Sequence, residues 1–192
     1  SAGDVDGDGI PDLIVGAPEW RQGSFRLGAA FVIRGSYLKT LEGDLTITGD
    51  LPQKPTIHPY AATPEEVLMV KGSVETTSGQ SQAWFGAGVT YVPDVGPGLS
   101  GGFAVSAPRG DLTGTSLAGD VRVYRYTNEG TLELMTMIGG ETPRLESKFG
   151  EALSAGTVGG QVMLSIGAFY GTPDGSTTSI DNGSVYNVVL KD

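Results

Sequence analysis

Cysteine is absent from this 192-residue chain, and histidine occurs once, at His58. The first absence rules out a disulfide framework, a thiolate zinc site and a cysteine nucleophile. Positive charge is scarce: 12 Lys and Arg face 22 Asp and Glu, giving a formal charge of -10 and a pI near 4.4. Phosphate binding needs a basic face, so this balance argues against duplex DNA or an anionic membrane as the main partner. No apolar run approaches the roughly 18 residues that span a bilayer. The amino terminus also lacks a charged segment followed by an apolar one, so any export signal is expected to lie upstream or to have been removed. Helical periodicity is missing as well; Pro64–Lys71 is the nearest candidate, and it is short.

What the chain has in excess is glycine, 31 residues, or about 16% against a usual ~7%. With 39% hydrophobic residues the composition is that of a folded chain, not a disordered one. The apolar residues fall in short alternating runs bounded by Gly, Pro and Asp: Ala30–Ile33, Leu45–Thr48, Val67–Val70, Val121–Tyr126, Leu132–Ile138 and Val185–Leu190. Such runs predict many short strands, and hence an all-β, mainly antiparallel fold.

The chain repeats itself. Trp84-Phe85-Gly86-Ala87 returns as Lys148-Phe149-Gly150-Glu151, and Gly16-Ala17-Pro18 returns as Ser106-Ala107-Pro108 and, more weakly, as Gly167-Ala168-Phe169. An alternating apolar pair precedes each of the latter, and each is followed by a glycine that opens a strand, at Gly28, Gly119 and Gly183. The unit is a Phe-Gly strand, a loop, a Gly-Ala-Pro strand, a glycine-led strand and a fourth strand. A four-stranded unit cannot bury both its faces alone, so units must stack, and radial stacking makes a β-propeller. The glycines then serve as turn residues between short strands.

Just ahead of the Gly16-Ala17-Pro18 strand lies Asp4-Val5-Asp6-Gly7-Asp8-Gly9-Ile10-Pro11-Asp12, a D-x-D-x-D-G-x-x-D pattern. Alternate aspartates on a tight turn point their carboxylates inward, and hard oxygen donors at this density suit Ca2+, which takes six to eight oxygens at about 2.3–2.6 Å. A solvated acidic turn is the alternative, but four carboxylates in nine residues repel one another without a cation. An EF-hand would need a glutamate at its twelfth loop position and a helix on each side; that position is Val15, in a run that reads as strand.

Phe-Gly, an Asp-rich loop and Gly-Ala-Pro together resemble the FG-GAP repeat of integrin-α-type propellers, strongly over Gly3–Pro18 and in degraded form in two later units. The resemblance implies that the Ile10 carbonyl joins Asp4, Asp6, Asp8 and Asp12 as a calcium ligand. It also implies that the loop joins the first two strands of a blade. Shifting the loop by 90 residues places its four aspartates on Asp94, Gly96, Gly98 and Gly102; shifting by 151 places them on Ala155, Thr157, Gly159 and Met163. One calcium site is therefore expected, not three.

The whole chain, 1–192, reads as one propeller segment: blade 1 over about 1–80 with an insertion near Gly49–Thr63, blade 2 over about 81–144, and an incomplete blade 3 over about 145–192. The first unit is expected to begin with its second strand and the last to end with its third. Three units are too few for a ring of four to eight blades, which predicts a partial propeller completed by strands from elsewhere.

Catalysis finds little support. His58 stands between Ile57 and Pro59, and no Gly-x-Ser-x-Gly elbow occurs. Arg109-Gly110-Asp111 matches the tripeptide that integrins recognise, and Asn182-Gly183-Ser184 is an N-glycosylation pattern. Trp20 and Trp84 are expected to be packing residues. The expected function is a calcium-binding, non-catalytic, extracellular propeller segment that binds a protein or glycan at a cell surface, or binds the rest of its own propeller. The alternative is an accessory region of a secreted or surface hydrolase, since FG-GAP propellers also accompany the catalytic domain of glycosylphosphatidylinositol-specific phospholipase D-like proteins. Animal integrin α chains carry disulfides and several intact calcium loops, which this chain does not match.

Overall fold

Where the alternating runs are described, each forms a strand. The computed structural model describes residues 1–40, 66–72, 84–93, 101–110, 118–139, 148–170 and 183–190. The expected strand at Leu45–Thr48, the insertion Gly49–Thr63 and His58 lie outside the described residues, as do Asp94, Gly96, Gly98, Asp111 and Asn182. In chain order the strands of the first part are β1 (Ala2–Gly3), β2 (Asp12–Ala17), β3 (Arg21–Gln22), β4 (Phe25–Arg26), β5 (Ala29–Ile33) and β6 (Val67–Lys71), with a short helix α1 (Gly35–Thr40) before β6. Then follow β7 (Val89–Pro93), β8 (Gly101–Ala107), β9 (Asp120–Tyr126), β10 (Leu132–Gly139), β11 (Phe149–Val158), β12 (Gln161–Ala168) and β13 (Ser184–Leu190).

These strands make three antiparallel sheets and one small hairpin. The first sheet runs β1-β2-β5-β6, the second β10-β9-β8-β7 and the third β11-β12-β13, while β3 pairs with β4. The first sheet therefore does not begin with the unit's second strand as expected: Ala2 pairs with Leu13 and Gly3 with Asp12 on its edge. A two-residue strand has no alternating pattern to read. Of Pro64–Lys71, the nearest helical candidate, Val67–Lys71 is strand, paired along β5. The third sheet joins β11 to β12 through Gly159-Gly160, both at positive φ (59° and 80°), the conformation a two-residue hairpin of type I′ requires. A tight turn thus stands where the first unit has its acidic loop.

The sheets stack face to face, and period-two alternation decides which side chain enters which core. Phe103, Val105, Ala107 and Tyr124 of the second sheet meet Ile14, Ala30, Val32 and Leu68 of the first. From the opposite face of the second sheet, Val92, Ala104, Val121 and Val123 meet Leu164, Ile166 and Ala168 of the third. The second sheet is buried on both sides, as a blade within a propeller is. On the far face of the first sheet, Ala29, Phe31, Ile33 and Val67 are partly covered by Trp20 beside the small hairpin and by Tyr37 and Leu38 of α1.

Each Phe-Gly pair locks one sheet onto the one before. Trp84 and Lys148, the residues ahead of the two pairs, have positive φ (56° and 51°), a conformation costly for non-glycine residues and held only where packing demands it. Phe85 then bridges Gly28 in parallel, and the Phe149 N–H donates to the Ala118 carbonyl at 3.0 Å. A Cβ at Gly28 would overlap the Phe85 carbonyl oxygen, and one at Gly119 would overlap that of Phe149. Both phenylalanine rings are buried, Phe85 edge-on to Tyr124 and Phe149 to Tyr186.

Candidate metal centre

The acidic loop occupies residues 4–11, between β1 and β2, and is wound by its own side chains. Asp4 accepts hydrogen bonds from the Gly7 N–H (2.8 Å) and the Gly9 N–H (3.0 Å), one on each carboxylate oxygen. Asp6 accepts from the Asp8 N–H at 3.2 Å and Asp8 from the Ile10 N–H at 2.7 Å. Aspartate bonding the backbone two residues on is the Asx-turn geometry. Gly7 and Gly9 supply the positive φ (80° and 83°) that lets the chain coil this tightly.

Asp12 does a different job. It is 1% exposed, and both its oxygens accept backbone N–H groups: Gly35 on one (2.8 Å), Val5 (2.8 Å) and Asp6 (3.3 Å) on the other. Val5 is fully buried in the core between the first two sheets. Asp12 therefore ties the loop both to that core and to the start of α1.

The chain brings three of the expected ligands together. Carboxylate oxygens of Asp4, Asp6 and Asp8 lie within 4.8 Å of one another. Two oxygens on opposite sides of a calcium ion at about 2.3–2.6 Å would be about 5 Å apart, so the cluster has the size of a coordination shell. All donors are oxygen, with no nitrogen or sulfur ligand at the loop, which suits a hard cation. Ile10 closes the loop; its side chain and the Pro11 carbonyl press on Gly35, where no Cβ would fit. Val15 lies on β2, so an EF-hand helix is excluded there.

Arg34, which the sequence reading missed, borders the cluster. Its Nε lies 3.6 Å from an Asp6 oxygen, and its Nη2 donates to the Tyr126 hydroxyl at 2.6 Å while the guanidinium sits 5.2 Å from that ring's centre. The loop of the first sheet is thereby tied to β9 of the second. Arg34 falls just after an apolar strand, with no periodic or motif signal to single it out. Burial raises the Asp6 carboxyl above its ordinary value, helped by the charges of Asp8 and Asp4 and opposed by the Asp8 N–H and Arg34. Burial likewise raises Asp12, against the N–H groups of Gly35 and Val5.

The other singled-out residues fall elsewhere. Ala155 and Thr157 lie on β11, Gly159 in the Gly-Gly turn and Met163 on β12, and none has a carboxylate. Arg109 of the Arg-Gly-Asp tripeptide stacks its guanidinium 4.0 Å from the Trp84 ring centre, within the second unit. Trp20 packs on the far face of the first sheet, as expected of a core residue.

Stacked antiparallel sheets, two of four strands and one of three, with an acidic loop between the leading strands of the first, define a β-propeller segment. Residues 1–33, which span β1, the loop, β2, the small hairpin and β5, match the family model described as FG-GAP repeat. The match is to the repeat itself and does not single out phospholipase D-like proteins. No curated protein matches the chain.

Proposed function

We propose that the loop of the first sheet binds one calcium ion, and that the chain is a non-catalytic propeller segment that binds a protein or glycan outside the cell. The carrying observation is the clustering of the Asp4, Asp6 and Asp8 oxygens within 4.8 Å in a repeat of FG-GAP type. We assign the Ile10 carbonyl and Asp12 as the further ligands. A carboxylate has about four acceptor sites, so Asp12 can take part while holding its backbone donors. The ion would supply positive charge to carboxylates that otherwise repel, fixing the loop on the face of the stack. The three units run over about 1–80, 81–144 and 145–192, as one segment.

Among the described residues no constellation supports catalysis. Asp4, Asp6 and Asp8 are each engaged by loop N–H groups, and their mutual closeness is explained by cation binding rather than by an acid–base pair. Calorimetric titration tests the assignment. One calcium per chain is expected, with micromolar to millimolar affinity, and Asp8→Ala should remove the binding. Unchanged binding in that variant, or none in the parent chain, contradicts it.

A further inference from the structure

We infer that Arg34 is the resident counter-cation of the acidic loop, held by Tyr126 of the second sheet, and that it sets the affinity and charge selectivity of the ion site. The inference rests on the calcium reading of the loop and names a residue that tunes it. Arg34 stands between β5 and α1, and its main chain is fixed on both sides. Its N–H donates to the Glu66 carbonyl and its carbonyl accepts from the Leu38 N–H, both at 3.0 Å. The next residue, Gly35, donates to Asp12 at 2.8 Å. The root of the arginine side chain is thus tied to the same aspartate that anchors the loop.

The guanidinium is drawn in two directions. Nη2 donates to the Tyr126 hydroxyl at 2.6 Å, whereas Nε stops 3.6 Å from Asp6 Oδ2. A closed guanidinium–carboxylate hydrogen bond spans about 2.7–2.9 Å. Among the described residues the buried Nε accordingly has no hydrogen-bond partner, although the side chains of Arg34 and Asp6 are only 18% and 6% exposed. The other Asp6 oxygen takes the Asp8 N–H, which leaves Oδ2 facing the guanidinium and open to a cation. Leaving a buried donor unpaired is unfavourable, so the tyrosine hydroxyl holds the arginine near the carboxylate without letting it close.

The position itself does not impose this arrangement. By strand register, Arg34 follows Ala29 as Arg125 follows Asp120 and Val189 follows Ser184, the partners of Ala17, Ala107 and Ala168. Arg125 pairs instead with Glu133 across its hairpin at 2.8 Å. Val189 stands in the sheet whose Gly159-Gly160 turn carries no carboxylate. A positive charge beside Asp6 relieves carboxylate repulsion while the ion is absent and repels the ion when it arrives. An ion ligated by Oδ2 at about 2.4 Å lies within about 6 Å of the Arg34 Nε. Repulsion at that distance is worth about a factor of ten in affinity even at the dielectric of water. It scales with the charge of the ion, so Arg34 discriminates against trivalent ions more than against calcium.

Calorimetric titration of the full chain with calcium, and separately with terbium, tests this. Arg34→Met keeps an unbranched stem and removes the charge; it should bind calcium about tenfold and terbium about thirtyfold more tightly than the parent. Tyr126→Phe should act in the opposite direction. Released from the hydroxyl, the guanidinium closes on Asp6 and competes with the ion, weakening calcium binding about two- to fivefold. The double variant should match Arg34→Met alone. A residue that merely braces the loop would weaken binding in both single variants. Calcium binding that Arg34→Met leaves unchanged or weakens, equal gains for the two ions, or unchanged or tighter binding in Tyr126→Phe overturns the inference while the metal reading stands. No binding by the parent chain overturns both.

Discussion

At the scale of single residues, the aspartates of the loop divide into two kinds. Asp8 is exposed and its carboxylate accepts one hydrogen bond, from the Ile10 N–H, whereas Asp12 is buried and accepts from Val5, Asp6 and Gly35. Asp8→Ala should therefore leave stability in EDTA within about 0.5 kcal/mol of the parent. Asp12→Ala should cost about 2–4 kcal/mol there, because it leaves buried N–H groups of Val5 and Gly35 unpaired. Urea denaturation of both variants with and without calcium separates the roles. Burial also holds the Asp6 and Asp12 carboxyls above the ordinary 3.8, so the folded chain binds their protons more tightly than the unfolded chain does. Their stabilising contribution is fully present below the ordinary value and is lost as pH rises through the raised ones. In EDTA the denaturation midpoint should fall on this account as pH rises from about 4 towards neutrality, and calcium should remove the fall.

At the scale of elements, the Phe-Gly strand entry holds the stack together. Phe85→Ala should destabilise by about 3–5 kcal/mol through the cavity it leaves between sheets. Gly28→Ala should cost about 1–3 kcal/mol for its positive φ alone, and more because its Cβ would displace the Phe85 carbonyl. Gly159→Ala carries the same kind of strain but meets nothing within 4 Å, so the difference between the two variants measures the junction. The strands were legible in the sequence because short apolar-rich runs bounded by Gly, Pro and Asp mark β5 and β9, which are buried almost throughout, and because β12 alternates buried Leu164, Ile166 and Ala168 with less buried neighbours. β1, the β3–β4 hairpin and α1 were not. Two-residue strands hold too few side chains for a period of two to show, and six residues make under two turns of helix; these elements are fixed by tertiary contacts such as Gly3 against the Tyr91 ring.

At the scale of the molecule, the loop belongs to two sheets. Arg34 links Asp6 to Tyr126, and a Cβ at Gly101 of the second sheet would lie 2.9 Å from the Asp4 carbonyl. Calcium bound at the loop should therefore slow hydrogen exchange not only in β2 but also in β7 and β8, across the junction. Slowing confined to residues 4–12 would deny the link. The clustering of Asp4, Asp6 and Asp8 was readable from spacing, since alternate residues on a coiled loop converge. Arg34 and the backbone duties of Asp12 were not, because both depend on groups distant in sequence, at Tyr126 and Gly35.

If one cation at this loop stabilises the stack, calcium must raise the thermal melting point of the parent chain. At a hundredfold excess over its dissociation constant the ion should add about 2.7 kcal/mol, raising Tm by about 5–10 °C for a chain of this size, and Asp8→Ala should erase the rise. A parent Tm that calcium leaves unmoved, or a rise that survives in Asp8→Ala, would contradict the account.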